Sequence, residues 1–75
     1  MQKEDIEIST EYISIDKLLK FAGIADTGGQ AFMMIEDGVV LLNGEKVQEK
    51  RRKVYAGDVV TIAGQLQLTV VREAE

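Results

Sequence analysis

The sequence predicts an α+β fold, with two adjacent helices packed against a small antiparallel sheet of about four to five strands. Three observations predict it. Apolar residues recur at helical spacing in two consecutive segments, Ile15, Leu18, Leu19 and Ala22, then Ala31, Met34 and Ile35. The other apolar runs, at 6–8, 39–42, 59–63 and 66–71, are short and mostly bounded by glycine-containing turns, as hairpin strands are. The helices stand together ahead of the hairpins, an order that places the helix pair on one side of the sheet. Seventy-five residues allow one domain, residues 1–75, with a small core in which nearly every apolar position must be used. No linker, internal repeat or low-complexity segment interrupts it.

Ile6 and Ile8 alternate with Glu7 and Ser9, a short strand with one buried face and an acidic outer face that discourages edge pairing. Ser14 has the hydroxyl of a helix N-cap. Gly23 can take the left-handed conformation that ends the first helix, and Lys17 and Lys20 lie off its apolar stripe. Asp26 or Thr27 caps a second helix running to about Glu36. Gly28-Gly29 in its first turn costs about 1 kcal/mol per residue in helix propensity. Either a ligand approaches there and uses the free N–H groups as an anion seat, or the glycines allow close packing against the first helix. Phe32 and Met33 fall outside the buried stripe. Phe32 is expected at the edge of the core, with an exposed apolar contact patch as the alternative.

Asp37-Gly38 stops the second helix, and Val39-Val40-Leu41-Leu42 follows as a strand. Asn43-Gly44 then turns the chain back, because both central residues of a type I′ turn need φ > 0. Ala56-Gly57-Asp58 reads as a turn. Residues 59–63 form a strand, Gly64-Gln65 starts another hairpin, and Leu66, Leu68 and Val70 alternate with Gln67, Thr69 and Val71 in a half-buried strand.

The net charge is −4, but its distribution matters more than its sum. Glu4, Asp5, Glu7 and Glu11 crowd the front, while five of the eight residues 46–53 are basic: Lys46, Lys50, Arg51, Arg52 and Lys53. Such a dipolar chain can hold a polyanion on one face and repel it on the other. The alternative is a solvated loop that keeps the protein soluble. Cysteine and histidine are both absent, which removes disulfides and thiolate sites together with the commonest general base and metal ligand. Only two serines are present, and no nucleophile–base pair can be assembled. Asp37 and Asp58 stand beside glycines in turns, and Asp16 suits a helix N-terminus. No enzymatic activity, cofactor or metal site is expected. No signal peptide is visible at the front, and the longest apolar run falls far short of the ~20 residues of a membrane span. A soluble, cytoplasmic monomer without membrane contact is the expectation.

The pattern Ile15-Asp16-x-x-Leu19, Ala22-Gly23-Ile24-Ala25, Gln30-Ala31, Ile35, Gly38-Val39-Val40-Leu41-Leu42-Asn43-Gly44-Glu45 and Gly57-Asp58-Val59-Val60 resembles the alpha-L RNA-binding domain, the module named for ribosomal protein S-four of the small subunit. Thr27-Gly28-Gly29-Gln30-Ala31 is most similar to small, stand-alone bacterial proteins of the YaaA/YbcJ type. The resemblance covers about residues 13–62. It implies two helices and an adjoining hairpin that present a basic surface to structured, often ribosomal, RNA. RNA, within a ribosome or an assembly particle, is therefore the expected partner. The positions implied to face RNA are Ser14, Asp16 and Lys17, then Thr27, Gly28, Gly29, Gln30 and Phe32, then Asn43, Gly44 and Lys46. Three positions that commonly carry cations in that family hold Ser14, Gly28 and Phe32 instead. The load then shifts to Lys17, Lys20, Lys46, Lys50, Arg51, Arg52 and Lys53. Arg51 and Arg52 can bind phosphate bidentately or stack on bases. Asn43 can reach a base edge, although supplying the turn explains it as well. Tyr55 either stacks on a base or is buried beside the sheet.

Two other classes compete. Phe32 and Met33 could form the core of a protein-interaction module. Leu42-Asn43-Gly44-Glu45-Lys46-Val47 followed by Gly57-Asp58-Val59-Val60 also resembles a ubiquitin-like sulfur carrier, but such a carrier needs a C-terminal Gly-Gly where this sequence has Arg72-Glu73-Ala74-Glu75.

Overall fold

Nine elements follow one another in the computed structural model, which describes residues 1–73. They are β1 (Gln2–Ile8), β2 (Tyr12–Ser14), α1 (Ile15–Phe21), α2 (Gly28–Glu36), β3 (Val40–Leu42), β4 (Glu45–Lys46), β5 (Lys53–Tyr55), β6 (Val59–Ile62) and β7 (Leu66–Arg72). The Ala74-Glu75 end, part of the comparison with a Gly-Gly terminus, lies outside the described residues. The α+β class is as the sequence predicts, with the two helices consecutive rather than separated by hairpins. Among the described residues no helix is long and apolar enough to cross a membrane.

The main sheet runs β1-β7-β6-β3-β4. Its hairpin neighbours are antiparallel, but β1 lies parallel to β7, with Ile6 opposite Val70. The sheet is therefore mixed, which corrects the expectation of a purely antiparallel one. Parallel neighbours need a crossover connection, and here almost the whole chain, both helices included, lies between the two strands. A second, two-stranded antiparallel sheet pairs β2 with β5, with Tyr12 opposite Tyr55 and Ser14 opposite Lys53. The sequence reading contains neither of its strands.

Both helices end in the same way. After α1 the Gly23 N–H donates to Lys20 O and the Ile24 N–H to Leu19 O; after α2 the Gly38 N–H donates to Ile35 O and the Val39 N–H to Met34 O. These paired bonds are the Schellman motif, with glycine in the left-handed position at φ 76° in each case. At the other end of α2, Thr27 rather than Asp26 is the N-cap. Its hydroxyl accepts from the Gln30 N–H at 3.1 Å, while Gln30 Oε1 accepts from the Asp26 N–H at 2.8 Å. This reciprocal pair offsets the weak helix propensity of Gly28-Gly29. Close packing against α1 does not account for the glycines, since a Cβ at Gly28 would meet no atom within 4 Å and one at Gly29 only Thr27 Oγ1 at 3.9 Å. Ser14 occupies the N-cap position of α1, as the last residue of β2, but makes no side-chain cap bond.

The turns follow backbone preference with one exception. Asn43 and Gly44 both have positive φ, 51° and 86°, in the two-residue turn between β3 and β4. The β6–β7 turn centres on Ala63-Gly64, at φ 53° and 65°. Ala63 therefore leaves the strand predicted over 59–63, and it carries the strain of a left-handed residue that has a Cβ.

The core is one cluster. Ile15, Leu18 and Leu19 of α1 and Ala31 and Ile35 of α2 meet Val40, Val60, Leu68 and Val70 of the sheet, all buried. Val54 joins them from β5, with Ile13 of β2 packed alongside. Phe32 is half-buried, as an edge position predicts, and Met33 is exposed.

The two kinds of glycine give opposite expectations. Gly38→Ala places a Cβ on a left-handed residue and 2.5 Å from Lys46 Cε, so unfolding free energy should fall by about 1–2 kcal/mol. Gly28→Ala, at a helical position with open space, should raise it by up to about 1 kcal/mol. Urea titration of both variants checks the pair of signs.

Candidate nucleic-acid interface

The basic run is held at both ends by hydrogen bonds. Lys46 lies in β4 opposite Leu41, and the Val47 N–H donates to Val40 O at 3.2 Å. Val47 is buried, and residues 48–53 are exposed. A turn closed by the Arg52 N–H on Glu49 O brings the chain to β5, where Lys53 pairs with Ser14. The first N–H of α1, that of Ile15, then donates to Arg52 O at 2.8 Å. Between these points Lys50 reaches α2. Its Nζ stands 3.1 Å from Glu36 Oε1 and 5.0 Å from the centre of the Phe32 ring. The loop is thus strung from the start of α1 to the last turn of α2.

This arrangement joins a helix cation to the loop cations. Lys17, from the first turn of α1, lines one concave surface with Arg51 and Lys53, together with Tyr12, Ser14 and Asp16. Asp16 Oδ1 is buried there without a hydrogen-bond partner among the described residues. Arg51 and Lys53 also line a second groove, beside Arg52, Asn43 and Tyr55, but Glu45, Glu49 and Asp58 share that wall. The first surface is the more uniformly basic of the two. Guanidinium and ammonium groups held this way suit phosphate oxygens, Arg51 by a planar fork and the lysines as point charges.

The remaining sequence candidates are dispersed. Lys20 lies in the last turn of α1 and lines neither of these two surfaces. Lys46 folds its side chain over Gly38. Thr27 and Gln30 spend their side chains on the cap of α2. Gly28 and Gly29 begin that helix, one turn before Phe32, on the side that Lys50 approaches. Asn43 is engaged internally: its Oδ1 accepts from the Val59 N–H at 2.9 Å and its Nδ2 donates to Asp58 Oδ1 at 3.1 Å. Asp58 Oδ2 in turn accepts from the Tyr55 N–H at 2.8 Å. Tyr55 is exposed, which corrects the alternative of burial beside the sheet. Sequence reasoning passed over Tyr12, whose only signal is its pairing across the small sheet with Tyr55. Among the described residues no group of three or more Asp or Glu could hold a metal ion.

Topology sets the acidic residues of β1 away from the basic loop. The acidic β1 and the short β4, which feeds the basic loop, form opposite edges of the main sheet. Four inter-strand steps separate them, about 19 Å at the usual spacing.

Three proteins illustrate what the chain is similar to. A "Probable ribosome maturation protein RlbA" of Bacillus subtilis is 41% identical over 59 residues, 79% of this chain and 83% of that protein. A "Putative RNA-binding protein YbcJ" of Escherichia coli is 36% identical over 53 residues, 71% of this chain and 76% of that protein. A tyrosine–tRNA ligase of Nitrosospira multiformis is 37% identical over 57 residues, 76% of this chain but 14% of the ligase. The family model described as the S4 domain matches residues 6–71, through both helices, the basic loop and the strands on either side of it. The chain belongs to the S4 domain family.

Proposed function

We propose that this chain is a non-catalytic RNA-binding protein that grips structured RNA, in a ribosome or an assembly particle, through the basic surface shared by α1 and the β4–β5 loop. The observation that carries the reading is the concave surface where Lys17 of α1 meets Arg51 and Lys53 of the loop. Membership of the S4 domain family supports it. So do the names of two relatives of similar length, one RNA-binding and one concerned with ribosome maturation. Action as a monomer in the cytoplasm belongs to the same proposal. So does a part for Gly28-Gly29 as a place where RNA backbone approaches the α2 N-terminus, consistent with the open space at Gly28.

A second reading, a protein-interaction surface, has one observation in its favour: Met33 is 64% exposed on α2. Phe32 adds little to it, since its side chain is half-buried.

Affinity for a structured RNA should fall with salt at a log–log slope of about −3 to −4, the value for about four or five phosphate contacts. The double variant Arg51→Glu/Arg52→Glu should lower affinity at least ~10-fold and flatten the slope by ~1–2. Titration of labelled RNA at several salt concentrations measures both. An unchanged affinity, with Met33→Ser alone abolishing partner capture, would favour the protein-interaction reading.

The cations of the run should not be equivalent. Lys50 is neutralised in part by Glu36, so Lys50→Ala should weaken RNA binding less than Arg51→Ala does. Glu36→Gln should strengthen it by about 2- to 5-fold, since it removes an anion beside the surface and frees Lys50. Binding isotherms for the three variants at one salt concentration check this order.

A further inference from the structure

The two tyrosines of this chain meet on the outer face of the β2–β5 sheet. Tyr12 and Tyr55 are directly opposite in the ladder, with ring centres 5.8 Å apart and planes tilted by 49°. The inner face of the same two strands is apolar: Val54 is fully buried and Ile13 packs against the core. The small sheet therefore has its core contact without the tyrosines, which remain 42% and 43% exposed. Lys53 extends over Tyr12, its Nζ 4.8 Å from the ring centre. Tyr12 and Lys53 line the same surface as Lys17 and Arg51.

We infer that Tyr12 and Tyr55 form a stacking platform for an unpaired nucleobase, with Lys53 and Arg51 holding the phosphates that flank it. The inference deepens the RNA-binding reading and rests on it. A tilted pair presents ring face and ring edge together, and a flat base can stack on one ring while its rim meets the other. Bases in a duplex are already stacked and cannot be taken up this way, so the ligand is a single-stranded segment or loop. Cations beside aromatics are the usual composition of single-strand sites, where backbone charge supplies attraction and the rings capture bases. The platform would also add contact area that does not depend on the cations missing at Ser14, Gly28 and Phe32.

The chain contains no tryptophan, so its intrinsic emission comes from these two residues alone. Unlabelled oligouridylate and a fully paired RNA duplex of equal length are the probes, titrated into the intact protein at the same salt concentration. Single-stranded RNA should quench the tyrosine emission with the midpoint of binding, and the duplex should leave it nearly unchanged. Tyr12→Leu and Tyr55→Leu should each lower affinity for the single strand about 10-fold and for the duplex less than about 2-fold. Tyr12→Phe and Tyr55→Phe should retain single-strand binding. A merely structural role would instead lower affinity for both probes together. RNA binding with unchanged tyrosine emission, or equal losses on both probes, overturns the platform and leaves the RNA reading standing. Absence of binding to both probes, and to a structured RNA that carries an unpaired loop, overturns both.

Discussion

The structure depends on a contact between segments some forty residues apart in the sequence. β2 and β5, three residues each, pair with one another, and the Ile15 N–H at the start of α1 donates to the Arg52 carbonyl. A two-stranded ladder this short would be marginal alone, and it persists because Val54 is fully buried beneath it. Three consequences follow from that one closure. An otherwise unpaired helix N–H gains an acceptor, the end of the basic run is fixed against α1, and Tyr12 is brought opposite Tyr55. Ser14 makes no cap bond of its own, so the Arg52 carbonyl takes on part of the capping role.

That closure brings Lys17, Arg51 and Lys53 of an acidic protein to one place. The negative charge of β1 occupies one edge of the main sheet, and the chain leaves the opposite edge through β4 into the loop. Positive charge gathers where the loop returns to α1, at Lys17, Arg51 and Lys53. On the proposed reading, the field orients the molecule on approach to a polyanion, with the acidic edge turned away. Glu36 and Phe32 of α2 hold Lys50. The middle of the loop is thereby tied to the second helix, though some of its charge is spent in doing so.

Local signals made most of the elements legible in the sequence. Helical spacing at Ile15, Leu18, Leu19 and Ala22 located α1, and Gly23 and Gly38 marked the two helix ends where Schellman bonds form. Asn43-Gly44 announced its turn through the φ that each residue tolerates. The elements that escaped lack a local signal. Tyr12-Ile13-Ser14 is too short to show alternation, and Lys53-Val54-Tyr55 is masked by the charge run before it. Parallel pairing of the first and last strands leaves no trace in either, since periodicity is blind to strand direction. Ala63 has no backbone preference for φ 53°, and its place in a turn could not be read from its type. The site was legible as composition rather than as geometry. Five cations were visible in the run, but their division into tethered Lys50, Arg51 and Lys53 beside Lys17, Arg52 in the second groove, and Lys46 folded over Gly38 emerges only from long-range packing.

The central claim is that the surface shared by α1 and the β4–β5 loop is the face that meets RNA. Its most direct measurement follows the backbone amide NMR shifts of the protein while a structured RNA is added. The account predicts that the largest changes fall on residues 12–17 and 50–55, on both sides of the β2–β5 closure, with residues 2–7 of β1 unaffected. Changes centred on β1, or on the exposed Met33 side of α2 with residues 50–55 silent, would contradict it.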